Sequence, residues 1–193
     1  MAGCAPPAAE LDAAAIQRMV TATFMSAGQI CMALKRLYVH RSRYEELVHA
    51  FTAAAARYVV GDGLDPAVTM GPVNNPRRHE AVREMVAEAK ARGAQVREVG
   101  TIADEGVFAR GYFHRPTIVL TTAHSLRVVR DELFGPVASL FVARDAKHAL
   151  ELANATQFGL GSSVWTHDVA EQHLEDLVPT LVVGDVVVAR LHR

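Results

Sequence analysis

A layered α/β fold, its sheet largely parallel and flanked by helices, is what this sequence predicts, on three observations. Short β-branched segments alternate with amphipathic helical stretches along most of the chain. The segments between successive strands are long enough for crossovers, which parallel pairing requires and which bury a sheet on both faces. With 193 residues, 50% of them hydrophobic, the chain can fill one substantial core, so a single domain over 1–193 is expected.

The elements follow in order. Leu11 to Met25 carries Leu11, Ala15, Met19 and Ala22 on one helical face, with Gly28 as terminator just beyond. "RLYVH" at 36–40 reads as a short strand. Tyr44 to Val59 reads as a second amphipathic helix, closed by Gly61 and the turn "GDGLDP". The clearest helix has Asn75 as cap, Pro76 at its first position and Gly93 after its last turn. Further on, "AQVREV", "TIVL", "VASLFVA", "GSSVWT" and "LVVGDVVV" read as strands, and "DAKHALELAN" and "DVAEQHLEDL" as helices between the later ones. No internal repeat and no low-complexity linker interrupts them.

Charge and composition exclude several classes. Twenty basic residues against 21 acidic ones nearly cancel, with no run of like charge, so nucleic acid and membrane surfaces are not expected partners. No apolar run reaches the roughly 20 residues that cross a bilayer. The N-terminus "MAGCAPPAAELDAAA" lacks the basic start and apolar centre of a signal peptide, which points to the cytoplasm. Two cysteines, Cys4 and Cys31, make no disulfide framework, and nine scattered histidines offer no metal-ligand spacing, so no metal is expected. "GDG" at 61–63 and "GLG" at 159–161 read as turns, since neither supplies the third glycine of a dinucleotide fingerprint.

By residue type alone, Cys31 in "FMSAGQIC" reads either as a small buried hydrophobe or as a nucleophile. In "DELFGPV", Gly135 before Pro136 is biased to extended backbone; extension upstream would send Glu132 and Phe134 to one side, where both could meet one ligand. The alternative is a solvated acid beside a buried aromatic. Gln29, Lys35 and Arg36 flank the cysteine and read as architectural. Trp165 reads as core, and Asn154 as a helix cap.

Taken together, "FMSAGQIC", "GYFHRPTIV" and "DELFGPVASL" resemble the aldehyde dehydrogenase superfamily, and "VGDGLDPAVTMGPV", "ANATQFGLGSSVWT" and "LVVGD" follow in the order of that family's catalytic half. The resemblance runs from about Leu11 to Asp185. It implies that Cys31 attacks the carbon of a small-molecule aldehyde, and that the thiohemiacetal gives hydride to NAD or NADP and leaves a thioester for water to cleave. It further implies that Glu132 accepts from the ribose hydroxyls and that Phe134 packs on the nicotinamide.

Departures from the family pattern matter as much. The glutamate that serves the family as general base would fall before Met1, as would the dinucleotide-binding domain and the asparagine of the oxyanion hole. Cys4 stands where the family often has lysine, and Ala189 about where it has asparagine. The resemblance therefore implies a catalytic domain trimmed at both ends, impaired alone, binding cofactor weakly, and working as a homo-oligomer or with a complementing chain. The alternative is a non-catalytic remnant or subunit-interaction module that keeps the fold.

Overall fold

The computed structural model describes residues 12–158 and 160–166, and the backbone of 185–190. Helix α1 (Ala13–Phe24) starts where Asp12 accepts from the Ala14 amide at 3.0 Å. Strand β1 (Arg36–His40) leads to α2 (Tyr44–Ala55), then to a two-residue strand β2 (Val59–Val60). Helix α3 (Pro76–Ala91) carries the expected Asn75 cap, whose side chain accepts from the Arg78 amide at 2.8 Å. There follow β3 (Gln95–Glu98), β4 (Thr101–Ile102), α4 (Glu105–Arg110), β5 (Thr117–Leu120), α5 (Arg127–Arg130), β6 (Val137–Ala143) and α6 (Ala146–Asn154). The last described elements are β7 (Gly161–Thr166) and β8 (Asp185–Arg190). The expected helix "DVAEQHLEDL", the start of "LVVGDVVV" and the segment around Cys4 and Glu10 lie outside the described residues.

The central sheet has the order β1-β6-β5-β3. β6 pairs in parallel with β1, Arg36 opposite Ser139, and with β5, Thr117 opposite Val137; β3 runs antiparallel to β5 at the edge. β2 and β4 form a parallel pair, as do β7 and β8. The sheet is mixed and mostly parallel, with helices on both faces, as the alternation of elements requires.

Both faces are covered. Leu37, Val39, Ile118, Ala138 and Leu140 pack against Ile16, Met19, Val20 and Phe24 of α1 and Leu47, Val48 and Phe51 of α2. The alternate residues Val119, Val137 and Phe141 pack against Val82, Met85, Val86 and Ala89 of α3 and Val128 and Val129 of α5. Phe24 and Phe51 are wholly buried, 6.1 Å apart by ring centroid, and each such side chain contributes about 1.5–3 kcal/mol on leaving water. Trp165 is only partly buried: it packs against the first cluster, and the Arg18 guanidinium lies 5.5 Å from its ring centroid.

The second expected helix ends early. The helix from Tyr44 stops at Ala55, and Val59 and Val60 form a strand instead. Their β-branched side chains suit extended backbone, and pairing with Thr101 and Ile102 satisfies amides that a further helical turn would have used internally.

Candidate active site

The cysteine loop begins where α1 ends. Met25 leaves the helix in extended backbone, and then Ser26, Ala27 and Gly28 all turn left-handed, at φ 53°, 54° and 67°. For Ser26 and Ala27 that conformation costs about 1–2 kcal/mol each, so contacts elsewhere must hold it. Gly28 is there by necessity: a Cβ would come 2.3 Å from the Gly135 carbonyl oxygen. Beyond it the chain makes a turn around Cys31, the Ala33 amide donating to the Ile30 carbonyl at 3.1 Å, and the Leu34 amide donates back to Ala22 of α1 at 3.0 Å. Both ends of the loop are thereby tied to one helix, and Cys31 is exposed at its tip as a free thiol. Of the two readings open from residue type, the buried hydrophobe does not apply.

Gln29 staples a second segment to this loop. Its Nε2 donates to Ser26 and Pro72 carbonyls at 3.1 and 3.2 Å, and its Oε1 accepts from the Asn74 amide at 2.8 Å. A few residues on, the Arg78 guanidinium at the start of α3 donates to the Glu132 and Leu133 carbonyls at 3.1 and 3.4 Å. The backbone of the Asp131–Pro136 segment is thus held from α3 while the Glu132 carboxylate stays exposed.

Phe134 is half-buried and left-handed, φ 48°. The expected run of extended backbone through Glu132 and Phe134 is therefore broken at Phe134. The physical reason lies at Gly135, which is buried between two elements: a Cβ on it would come 2.6 Å from Val82 of α3, and its carbonyl faces Gly28. Only a sharp turn brings the chain that close to both. Gly135 and Pro136 shape this turn, the Val137 amide donating to the Gly135 carbonyl at 2.8 Å across Pro136.

The two loops meet because the strands they feed are neighbours. The cysteine loop runs into β1 and the Glu132 loop into β6, and parallel pairing puts both entrances at the same end of the sheet. The Ser139 amide donates to the Lys35 carbonyl at 2.8 Å, continuing the ladder outward. Lys35 Nζ then crosses to the Gly135 carbonyl at 2.5 Å. Burial pushes this ammonium down to about 7, and no carboxylate pairs with it among the described residues. Sequence reasoning placed Lys35 at the loop only as a flanking cation, because its acceptor lies a hundred positions away.

The result is an exposed thiol, an exposed carboxylate and a half-buried aromatic on two loops that are locked together at Gly28, Lys35 and Gly135. A carboxylate can accept from vicinal hydroxyls and an aromatic ring can pack on a nicotinamide, so Glu132 and Phe134 are the residues of this loop that could hold the nicotinamide-ribose end of a dinucleotide. "GDG" at 61–63 is a turn, with Gly61 buried against Val68 and Ala103 and the Asp62 side chain accepting from the Leu64 amide. Among the described residues, no group of three or more His, Cys, Asp or Glu side chains could hold a metal ion, and no helix is long and apolar enough to cross a membrane.

Known proteins are similar to this chain over most of its length. The model of the aldehyde dehydrogenase family matches residues 7–191, somewhat beyond the stretch read from motifs. Succinate-semialdehyde dehydrogenase (NADP(+)) 1 of Mycobacterium tuberculosis is 39% identical over 174 residues, which cover 89% of this chain and 37% of that protein. An aldehyde dehydrogenase of Paenarthrobacter nicotinovorans is 36% identical over 165 residues. Among solved structures, aldehyde dehydrogenase C of Pseudomonas syringae, in complex with NAD+ and octanal, superposes with a TM-score of 0.81 at 26% identity, covering 96% of this chain and 38% of that one. Betaine aldehyde dehydrogenase of Staphylococcus aureus, in complex with NAD+, gives 0.83 at 25%, covering 96% and 37%. The chain spans little more than a third of the length of the curated relatives it matches. The family model spans nearly the whole chain and a relative 39% identical covers 89% of it, and the chain belongs to the aldehyde dehydrogenase family.

Proposed function

We propose that this chain carries the cysteine chemistry of an NAD(P)-dependent aldehyde dehydrogenase, converting a small aldehyde to its carboxylic acid. The observation that supports this best is the junction of the two loops, where an exposed thiol and an exposed carboxylate enter neighbouring parallel strands at one end. In this reading the Cys31 thiolate adds to the carbonyl carbon, forming the C–S bond as the carbonyl electron pair moves to oxygen. Glu132 accepts from the ribose hydroxyls and Phe134 covers one face of the nicotinamide. A nicotinamide held there would supply the hydride acceptor for the former aldehyde carbon. Cys31 departs as thiolate when water adds to the thioester that remains. NAD and NADP both suit the proposal, since Glu132 and Phe134 would meet only the part the two share.

The reading treats the chain as one catalytic domain of a larger working assembly, built from copies of itself or with a chain carrying the cofactor-binding half. An exposed thiol that must stay reduced suits the cytosol. The alternative of an interaction module without chemistry leaves the strained, doubly anchored loop before Cys31 without a use.

An activated ester tests the nucleophile without cofactor. With 4-nitrophenyl acetate the protein is expected to release a burst of roughly one equivalent of nitrophenolate as Cys31 is acylated, and Cys31→Ala to release none. A burst that survives in Cys31→Ala, or its absence from the unaltered protein, would overturn the proposal.

A further inference from the structure

We infer that Lys35 is a positioning residue for the Cys31 reaction: its Nζ, lodged beside Gly28 and bonded to the Gly135 carbonyl, holds the cysteine loop in register with the Glu132–Phe134 loop. This rests on the proposed role of Cys31.

The geometry is specific. Lys35 is the last residue before β1, and its own carbonyl is fixed by the Ser139 amide of β6 at 2.8 Å. From there its side chain turns back under the left-handed stretch Ser26–Ala27–Gly28, into space that exists because Gly28 has no Cβ. It ends on Gly135, 2.5 Å from the carbonyl oxygen, so one side chain touches the root of both loops. A surface lysine would keep its head in water. This one gives up that hydration without gaining a carboxylate, which lowers it to about 7, and ammonium and amine alike can donate to the carbonyl. The Gly135 carbonyl already accepts from the Val137 amide at 2.8 Å, so what Lys35 adds is a second bond that crosses between the loops. Ser26 and Ala27 hold an unfavourable conformation just ahead of Cys31, and Gly28, which follows them, lies directly against Gly135. Release of the clamp lets that stretch relax and move the thiol out of its attacking position.

The nitrophenyl ester again reads this out. The thiolate forms the C–S bond as the C–O bond breaks and nitrophenolate leaves with the electron pair, so amplitude counts competent sites and rate reports positioning. Lys35→Ala and Lys35→Met are expected to keep the full amplitude and to slow acylation by about tenfold or more. Lys35→Ala removes the equivalent of propylammonium, which added to the buffer should restore the rate of that variant, while propionitrile, of similar size and without a hydrogen-bond donor, should not. Lys35→Met fills the same volume without a donor, and neither additive should help it.

Lys35→Met acylating at the unaltered rate would overturn the inference, as would rescue of Lys35→Ala by propionitrile as fully as by the amine. Reduced amplitude at unchanged rate in both variants would also overturn it, by making Lys35 merely structural. Failure of the Cys31 reading is separate: it appears as a burst persisting in Cys31→Ala, whatever the lysine variants do.

Discussion

Gly28 and Lys35 show how much of the site is decided by single side chains, one of them missing. Gly28 combines a left-handed φ of 67° with a Cβ position only 2.3 Å from the Gly135 oxygen. Gly28→Ala must therefore move backbone on one loop or the other, and is expected to destabilise the protein by ~2 kcal/mol or more in urea unfolding. A loss under about 0.5 kcal/mol would mean that the junction yields easily and that the loops are not locked. At this scale the sequence is legible wherever chemistry is carried by residue type in a short motif. Short motifs singled out Cys31, Glu132 and Phe134, and the structure brings the two loops that carry them to one end of the sheet. What the motifs leave out is distance. Lys35, Gln29 and Arg78 act through carbonyls and amides far away in the chain, and backbone groups have no letter in a sequence. The left-handed backbone at Ser26, Ala27 and Phe134 was illegible for a related reason: non-glycine residues adopt it only when tertiary contacts impose it.

Elements were read well where local signals agree. β1, β5, β6 and β7 occupy the positions expected from their β-branched runs, and α3 starts and stops where Asn75, Pro76 and Gly93 indicate. β2 and β4, two residues each, and the short helices α4 and α5 were not anticipated, because so few residues carry no periodicity. Their existence depends on partners: Val60 on Ile102, and Val128 and Val129 on the core beneath α3. α3 matters to the site because Arg78, in its first turn, holds the Glu132 and Leu133 carbonyls. Its cap should therefore act on both stability and chemistry. Asn75→Ala removes the acceptor for the Arg78 amide and is expected to lower stability by about 1 kcal/mol. It should also make the backbone around 131–136 exchange its amide hydrogens faster than in the unaltered protein. Exchange that speeds up only within α3 would show that the helix start and the Glu132 loop are not mechanically joined.

For the whole molecule, the sheet places its chemistry at one end and its cations partly inside, and the second fact has a consequence for pH. Burial lowers Lys35 from 10.5 to about 7. Between those values the unfolded chain holds a proton that the folded one has lost, so stability rises with pH across the window. Burial also lowers His114 and His124 below 6.5, which adds the same sign at more acidic pH. Tyr38, Tyr44 and Tyr58 oppose it: burial raises each above 10.0, so above that pH the folded chain holds protons the unfolded one has released, and stability falls. The melting temperature is thus expected to climb from pH 7 to about 9.5 and to decline beyond about pH 10.5. Lys35→Met should flatten the climb and leave the alkaline decline in place, since it removes one titrating group and none of the tyrosines. Melting followed by circular dichroism at half-unit pH steps would decide it. A variant that climbs as steeply as the unaltered protein would mean that the Lys35 ammonium is solvated after all, and that its bond to Gly135 is too weak to join the two loops.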